Sequence, residues 1–394
     1  MEPAFRHLIR FDAYALDLRR CALTHGAQDI QLRPKAFDTL RYLAEHAGRV
    51  ISKEELLTAV WRNVIVTEDS LVQCVKEARD ALSDSSQRII KTVPRRGYLF
   101  AAQVQVSGVE RQHPNEAPDQ QVTFSRTRDG VNLAMAVVGR GTQLVCVPTW
   151  ASHLEHDWDN PTRGELWRFL ANRYQLIRYD GRGFGLSDRN VSEISPTTFE
   201  LDLEAVIHAL NLRRCAIFAI SQGCAAAIAL AARYPQRVAK LVLLGAFAQG
   251  RNKRGSIKEI EFSKAFISIM RQGWDDGEAA LLRMLSASWL PGASPDRIRW
   301  FANLLRSSTT AENAIRNRQA SDDIDVLNLL SKVRAPTLVL HSKQDNSVPF
   351  SEGRRVAALV ANARFVTLDS ENHVPLPEEP AWPQLLRAIE AFLS

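Results

Sequence analysis

Cys215-Ala216-Ile217-Phe218-Ala219-Ile220-Ser221-Gln222-Gly223-Cys224-Ala225-Ala226-Ala227-Ile228-Ala229-Leu230-Ala231-Ala232 decides the fold of the larger part of this chain. Its first six residues form an apolar run of the length of a buried strand, and Cys224–Ala232 is an alanine-rich run suited to a buried helix. Ser221 stands between them, where the chain must turn from strand to helix within a few residues. Such a turn brings two backbones close together, so it needs small neighbours, and Gly223 supplies one. Ala219 stands where this elbow usually carries glycine. A serine at the tip of a strand–turn–helix is exposed for attack on a carbonyl.

A serine nucleophile needs a base and an acid that orients the base. Pro336-Thr337-Leu338-Val339-Leu340-His341 reads as a strand leading to Asp345, and Phe365-Val366-Thr367-Leu368 as another leading to His373. The order serine, acid, histidine, each after its own strand, assigns Ser221 as nucleophile, His373 as general base and Asp345 as orienting acid. The backbone N–H groups of Gln222, at the helix start, and of Trp150, after the strand Leu144–Val147, are the expected oxyanion donors.

Strands expected at about 131–138, 143–148, 174–179, 214–220, 240–245, 336–341 and 364–368 alternate with helices at about 161–171, 198–210, 222–233 and 351–361. Alternation of this kind gives a mostly parallel sheet with helices on both faces. Between Gln249 and Leu330 the alternation gives way to helical periodicity carrying Trp274, Trp289 and Trp300, which predicts an all-helical cap at about 250–330 over the carboxyl ends of the strands. Tyr179-Asp180-Gly181-Arg182-Gly183-Phe184-Gly185-Leu186-Ser187-Asp188 matches an Asp-x-Arg-Gly-x-Gly-x-Ser loop. With the elbow and the ordered trio, it makes residues 120–394 resemble the α/β-hydrolase superfamily. Asp180 and Arg182 are expected to brace loops.

The first hundred residues read differently. Helical spacing runs from Leu32 to Ala47, Ser52-Lys53-Glu54-Glu55 is a capping box opening a short helix to Trp61, and a third helix runs from Thr67-Glu68-Asp69-Ser70 to about Leu82. On the third, Leu71, Val75, Ala78 and Leu82 form the apolar stripe; Asp69, Val72, Gln73, Lys76, Glu77 and Asp80 face outward. Lys91-Thr92-Val93-Pro94-Arg95-Arg96-Gly97-Tyr98-Leu99-Phe100 follows as a basic hairpin, and Arg88 to Val106 holds four basic residues and no acidic one. Together with Pro34–Leu40 and Ala59-Val60-Trp61, these pieces make residues 5–105 resemble the winged helix-turn-helix domains of the OmpR/PhoB type, amino-terminal as in CadC-like regulators. The resemblance implies double-stranded DNA as partner. Ser70, Gln73, Lys76, Arg79, Arg88, Lys91, Thr92, Arg95 and Arg96 are the expected contacts: Gln73 on an adenine edge, Lys76 on guanine or phosphate, and the wing arginines on backbone or minor groove. Glu77 and Asp80 interrupt the basic face.

The predicted fold class is thus α/β: an N-terminal winged helix-turn-helix over residues 1–106, a polar linker at 107–120 with two prolines, and a C-terminal α/β-hydrolase fold over 121–394. The 394 residues suit two domains, and a net charge of +6 is mild for a nucleic-acid binder. Five scattered cysteines, Cys21, Cys74, Cys146, Cys215 and Cys224, suggest neither a disulfide frame nor a metal site. His153, His156 and Asp157 lack a ligand pattern, so neither metal nor cofactor is expected. No signal core and no window of ~18–20 apolar residues is present, so no membrane partner is expected and the location is read as cytoplasmic. A homodimer is left open. The combined reading is a one-component transcriptional regulator whose hydrolase-like domain binds a small-molecule signal in a Ser-His-Asp pocket. The alternatives are a working ester, lactone or amide hydrolase that converts its own signal, and an interaction platform with a vestigial pocket.

Overall fold

The structure is a computed structural model and describes residues 8–17, 22–26, 28–30, 32–60, 68–94, 96–102, 104–105, 120–274 and 280–394. The chain divides into two compact units, Met1–Gln112 and His113–Ser394.

In the smaller unit three helices, Pro34–Glu45, Lys53–Val60 and Glu68–Ala81, pack between an antiparallel sheet of five strands and one of three. The apolar stripe foreseen on the third helix is buried: Leu71, Val75, Ala78 and Leu82 join Phe37, Leu40, Leu56 and Phe100 in one core. Half of the capping box is made. Ser52 Oγ accepts from Glu55 N at 3.1 Å, but the Glu55 carboxylate turns to Arg49 and Tyr42 instead of back to Ser52. The hairpin pairs Ile90–Val93 with Gly97–Phe100, and Val50–Ile51 covers the other edge of the second strand. Gly97 has φ +127°, and a Cβ there would lie 1.9 Å from the Ile51 carbonyl oxygen, so only glycine fits this crossing.

Asp84 sets the start of the wing. Its buried carboxylate accepts the backbone N–H groups of Arg88 (2.6 Å), Ile89 (3.0 Å) and Ile90 (2.7 Å). Asp84→Ala would strand these donors and is expected to destabilise the small unit by about 2 kcal/mol. Denaturant unfolding of the full chain measures it, and an unchanged first transition would contradict this account.

In the larger unit an eight-stranded sheet runs in the order Ala363–Leu368, Thr337–Ser342, Val238–Leu244, Cys215–Ile220, Gln143–Val147, Gln175–Tyr179, Asn132–Val138, Val122–Arg126. Neighbours are parallel from the first of these through Gln175–Tyr179, and the last two strands are added antiparallel. Helices cover both faces. Gly223–Arg233 is the most enclosed, with every residue from Gly223 to Ala231 buried, which is why its sequence is almost wholly small and apolar. Two elements were not read from the sequence. The edge strand Val122–Arg126 leaves Phe124 61% exposed and so lacks a clean apolar alternation. The helix Ala381–Leu393 begins at Pro380 and holds Pro383 in its first turn, where a missing N–H breaks no intrahelical bond.

From Gln249 the chain leaves the sheet and returns at Asp325, where the two residues pair as an isolated bridge. Between them lie the helices Arg251–Arg254, Ile257–Gly273, Ala280–Trp289, Pro295–Ser308 and Ala311–Asp322. Phe266, Met270, Trp274, Leu285, Phe301 and Leu305 form their shared core, which also takes in Ala151 and Leu376. The helical insertion therefore rests on the loops beside Trp150 and His373. Gln120, placed at the end of the expected linker, is tied into this unit: it donates to Leu154 O (2.9 Å) and accepts from Trp158 Nε1 (2.8 Å). The rest of 107–120 lies outside the described residues.

Candidate active site and nucleic-acid interface

Ser221 ends the strand Cys215–Ile220 with φ +55°, a left-handed conformation costly for a residue with a Cβ. The turn is held on both sides: Ser221 N donates to Leu244 O (2.9 Å), and Cys224 N donates to Ser221 O (3.0 Å). A Cβ on Gly223 would lie 2.6 Å from Pro148 O, so this position admits only glycine, while fully buried Ala219 is accommodated inside the sheet. Gln222 follows as the cap residue of Gly223–Arg233, at a helix start whose first N–H groups have no intrahelical acceptor.

His373 Nδ1–H donates to Asp345 Oδ2 at 2.6 Å. Asp345 is fixed in turn by Ser347 N (2.7 Å) and Val348 N (3.1 Å), both donating to Oδ1. Burial alone would raise the Asp345 pKa, but His373, His341 and the backbone donor Val348 outweigh it and hold the carboxyl below its ordinary value. The bond fixes the His373 tautomer, leaving Nε2 as the free ring atom; it has no hydrogen-bond partner among the described residues. The Ser221–His373 hydrogen bond is not made here, as is common before substrate binds. Gly245, with φ +63°, underlies the imidazole: a Cβ there would lie 2.5 Å from His373 Cε1.

Ser221, Gln222, Trp150 and His373 line one cavity of about 850 Å³, its open mouth included, between the strand ends and the helical insertion. Two hydrogen bonds tie that insertion to the site. Gln222 Nε2 donates to Asn317 Oδ1 (2.9 Å), and His373 N donates to Trp289 O (3.2 Å). Trp289 also meets Trp150 edge to face, with ring centroids 4.8 Å apart. Asn317 belongs to no motif, so nothing in the sequence marked it, and Trp289 was marked only as a tryptophan of the helical cap. A second histidine was also missed: His341 is fully buried, its Nε2 3.1 Å from Val348 O and 3.5 Å from Asp345 Oδ2. Burial depresses its pKa against the pull of Asp345, and the ring packs behind the acid.

The Asp180–Asp188 loop is a brace. Asp180 accepts from Leu154 N (3.1 Å) and Leu186 N (2.9 Å), and burial raises its pKa to about 6. Arg182 joins Asp202 to Asp129. His153 and His156 stack 4.0 Å apart, and Asp157 is bound by Arg163 and Arg178.

On the smaller unit Gln73, Lys76, Asp69, Asp80 and Val72 are exposed along Glu68–Ala81, Ser70 is half-buried, and Arg88, Lys91, Thr92 and Arg96 are exposed at the hairpin. Arg95 lies outside the described residues. Two residues serve differently from expectation. Arg79 is drawn inward, donating to Ile90 O (2.8 Å) and Thr92 Oγ1 (2.8 Å), and so locks the helix to the wing. Glu77 accepts from Arg33 N at 2.8 Å and pairs with its guanidinium; burial would raise its pKa, but Arg33 holds it below the usual range. Of the two acids that interrupt the basic face, Glu77 is thus paired internally, and Asp80 stays exposed. Arg88 is paired with Asp12 at 2.5 Å.

Residues 27–100 match the family model described as transcriptional regulatory protein, C terminal, and residues 143–380 match that described as alpha/beta hydrolase fold. The chain is 26% identical over 254 residues to a pyrrolizixenacetamide deacetylase of Xenorhabdus hominickii, covering 63% of this chain and 91% of that protein. It is 35% identical over 85 residues to the transcriptional activator CadC of Escherichia coli (strain K12), covering 21% of this chain and 17% of that protein. An esterase from Exiguobacterium antarcticum matches structurally with a TM-score of 0.60 at 22% identity, over 69% of this chain and 99% of that one. A DNA-binding regulator domain and an α/β-hydrolase domain are therefore joined in one polypeptide. Among the described residues no helix is long and apolar enough to cross a membrane.

Proposed function

The chain belongs to the alpha/beta hydrolase fold family, and from that premise we propose that it is a one-component, cytoplasmic transcriptional regulator whose hydrolase domain binds a small-molecule signal over Ser221. One observation carries the reading: the helical insertion roofing the cavity is hydrogen-bonded both to Gln222, beside the nucleophile, and to the backbone of His373. A ligand that enters this cavity displaces or orders the insertion, and it shifts DNA occupancy by its differential affinity for the two arrangements.

A second reading is favoured by the strained Ser221 and the His373–Asp345 bond: the domain hydrolyses an ester, lactone or amide signal. Ser221 would attack the carbonyl, His373 Nε2 would take its proton and return it to the leaving group, and the Gln222 and Trp150 N–H groups would hold the oxyanion.

A reporter behind a promoter mapped with the full chain, challenged with a panel of short-chain esters, lactones and amides, separates the two. A sensor keeps its dose response and its decay in Ser221→Ala. A signal-converting enzyme locks on or loses the response in that variant. If no panel member moves the parent reporter and Asn317→Ala leaves its basal output unchanged, the regulatory reading is wrong.

A further inference from the structure

Among the described residues, the cavity over Ser221 holds more positive charge than its lining carboxylates balance. Arg163, Arg251, Arg254 and Arg318 line it there, against one described carboxylate, Asp322. Arg254 is neutralised by Glu259, which accepts from its Nε (2.9 Å) and Nη2 (2.6 Å). Arg251 and Arg318 have one carboxylate, Asp322, to share: Arg318 donates through Nε (3.1 Å) and Nη2 (2.6 Å), while Arg251 Nη1 stands 3.6 Å away and its Nη2 donates to Ser347 O (3.0 Å). Ser263 Oγ donates to the same carboxylate. Among the described residues Arg318 Nη1 has no acceptor, and one positive charge is left over where Arg318 is 8% exposed.

The opposite wall repeats the pattern. Arg163 and Arg178 share Asp157, at 3.3 and 2.6 Å. Arg163 Nε and Trp150 Nε1, both on lining residues, are buried donors without an acceptor among the described residues. Neither group can accept a hydrogen bond, so each calls for an acceptor, from ordered water or from a ligand. A purely bracing role accounts for Arg254 but not for the surplus charge or the unpaired donors, because a buried guanidinium without a full counter-charge is unfavourable.

We infer that this cavity selects a carboxylate-bearing ester or amide, its carboxylate received by Arg251 and Arg318 and its carbonyl set beside Ser221. The single surplus charge of the Arg251–Arg318–Asp322 group matches a monoanion, and the planar guanidinium fork matches a carboxylate. The inference rests on the reading that this cavity takes the signal, and it holds for a sensor and for a hydrolase alike.

Calorimetric titration of the full-length Ser221→Ala chain with monomethyl adipate and with dimethyl adipate, near-isosteric and differing in charge, tests it without turnover. The monoanion should bind at least about tenfold tighter. Arg251→Gln should remove most of that preference, and Arg251→Lys should retain part of it; unchanged melting temperatures show that each variant is folded. Affinities within twofold of each other, no binding of the monoanion, or a preference that survives Arg251→Gln and Arg318→Gln would overturn the assignment. Selective binding of the monoanion with no reporter response to any ester would sink the regulatory reading instead and leave this one standing.

Discussion

Ser221→Ala is expected to abolish labelling of the full chain by a fluorophosphonate, and His373→Ala to reduce its rate by several orders of magnitude. Loss of nucleophile or base in such a trio costs on the order of 10⁶ in turnover, because the two act as one unit. The structural basis is the left-handed Ser221 at the cavity floor and the His373 ring locked by Asp345, with Nε2 unpartnered. Asp345→Asn should have a smaller but still large effect, since the amide can present its N–H to Nδ1 and stabilise the wrong tautomer. Phosphonylation needs only an activated hydroxyl, so the measurement is independent of the natural ligand. Equal labelling of parent and Ser221→Ala, located by peptide mapping, would remove Ser221 from the nucleophile's role.

The second large effect concerns DNA. Replacing Arg95 and Arg96 together by alanine should weaken binding to all duplexes and lower the slope of log K against log salt by about 2, near 0.9 per lost phosphate contact. Gln73→Ala should instead flatten sequence preference by about 1–3 kcal/mol at one base pair, because Gln73, exposed on the helix Glu68–Ala81, is the expected bidentate contact with a base edge. Arg79→Ala should also weaken binding, but by releasing the wing from the helix, since its guanidinium is spent on Ile90 O and Thr92 Oγ1. Its loss should lower stability together with affinity, whereas the wing-tip change should leave stability alone. Titrations of a mapped operator at several salt concentrations provide both readouts, and parental slopes and preferences in the two variants would refute the docking geometry.

Local pattern carried the periodic elements. The strands at Gln143–Val147, Cys215–Ile220 and Thr337–Ser342 are buried on both faces and read as continuous apolar runs. Ser221 and Asp345 were legible because each directly follows or closely trails such a run, and His373 because it trails the apolar stretch that ends the edge strand Ala363–Leu368. The edge strand Val122–Arg126 was not, since it lacks a clean apolar alternation; the helix Ala381–Leu393 keeps its apolar period at Trp382, Leu385, Ile389 and Leu393, but prolines at its start masked it.

What the sequence by itself determined is the chain's vocabulary: two modules, a strained serine turn, an ordered acid and histidine, and a three-helix head with a basic hairpin. These are consequences of short-range spacing, which the backbone periods of 2 and 3.6 translate directly into faces and turns. What only the tertiary structure decided is which side chains are already committed. Arg79 and Glu77, both read as facing DNA, are bound within the head, and Arg251, Arg318 and Asp322, silent in the sequence, meet over Ser221. A charge's role depends on what partner stands within a few ångströms of it: Glu77 meets Arg33, and Arg251 approaches the Arg318–Asp322 pair, only when the head and the helical insertion each fold.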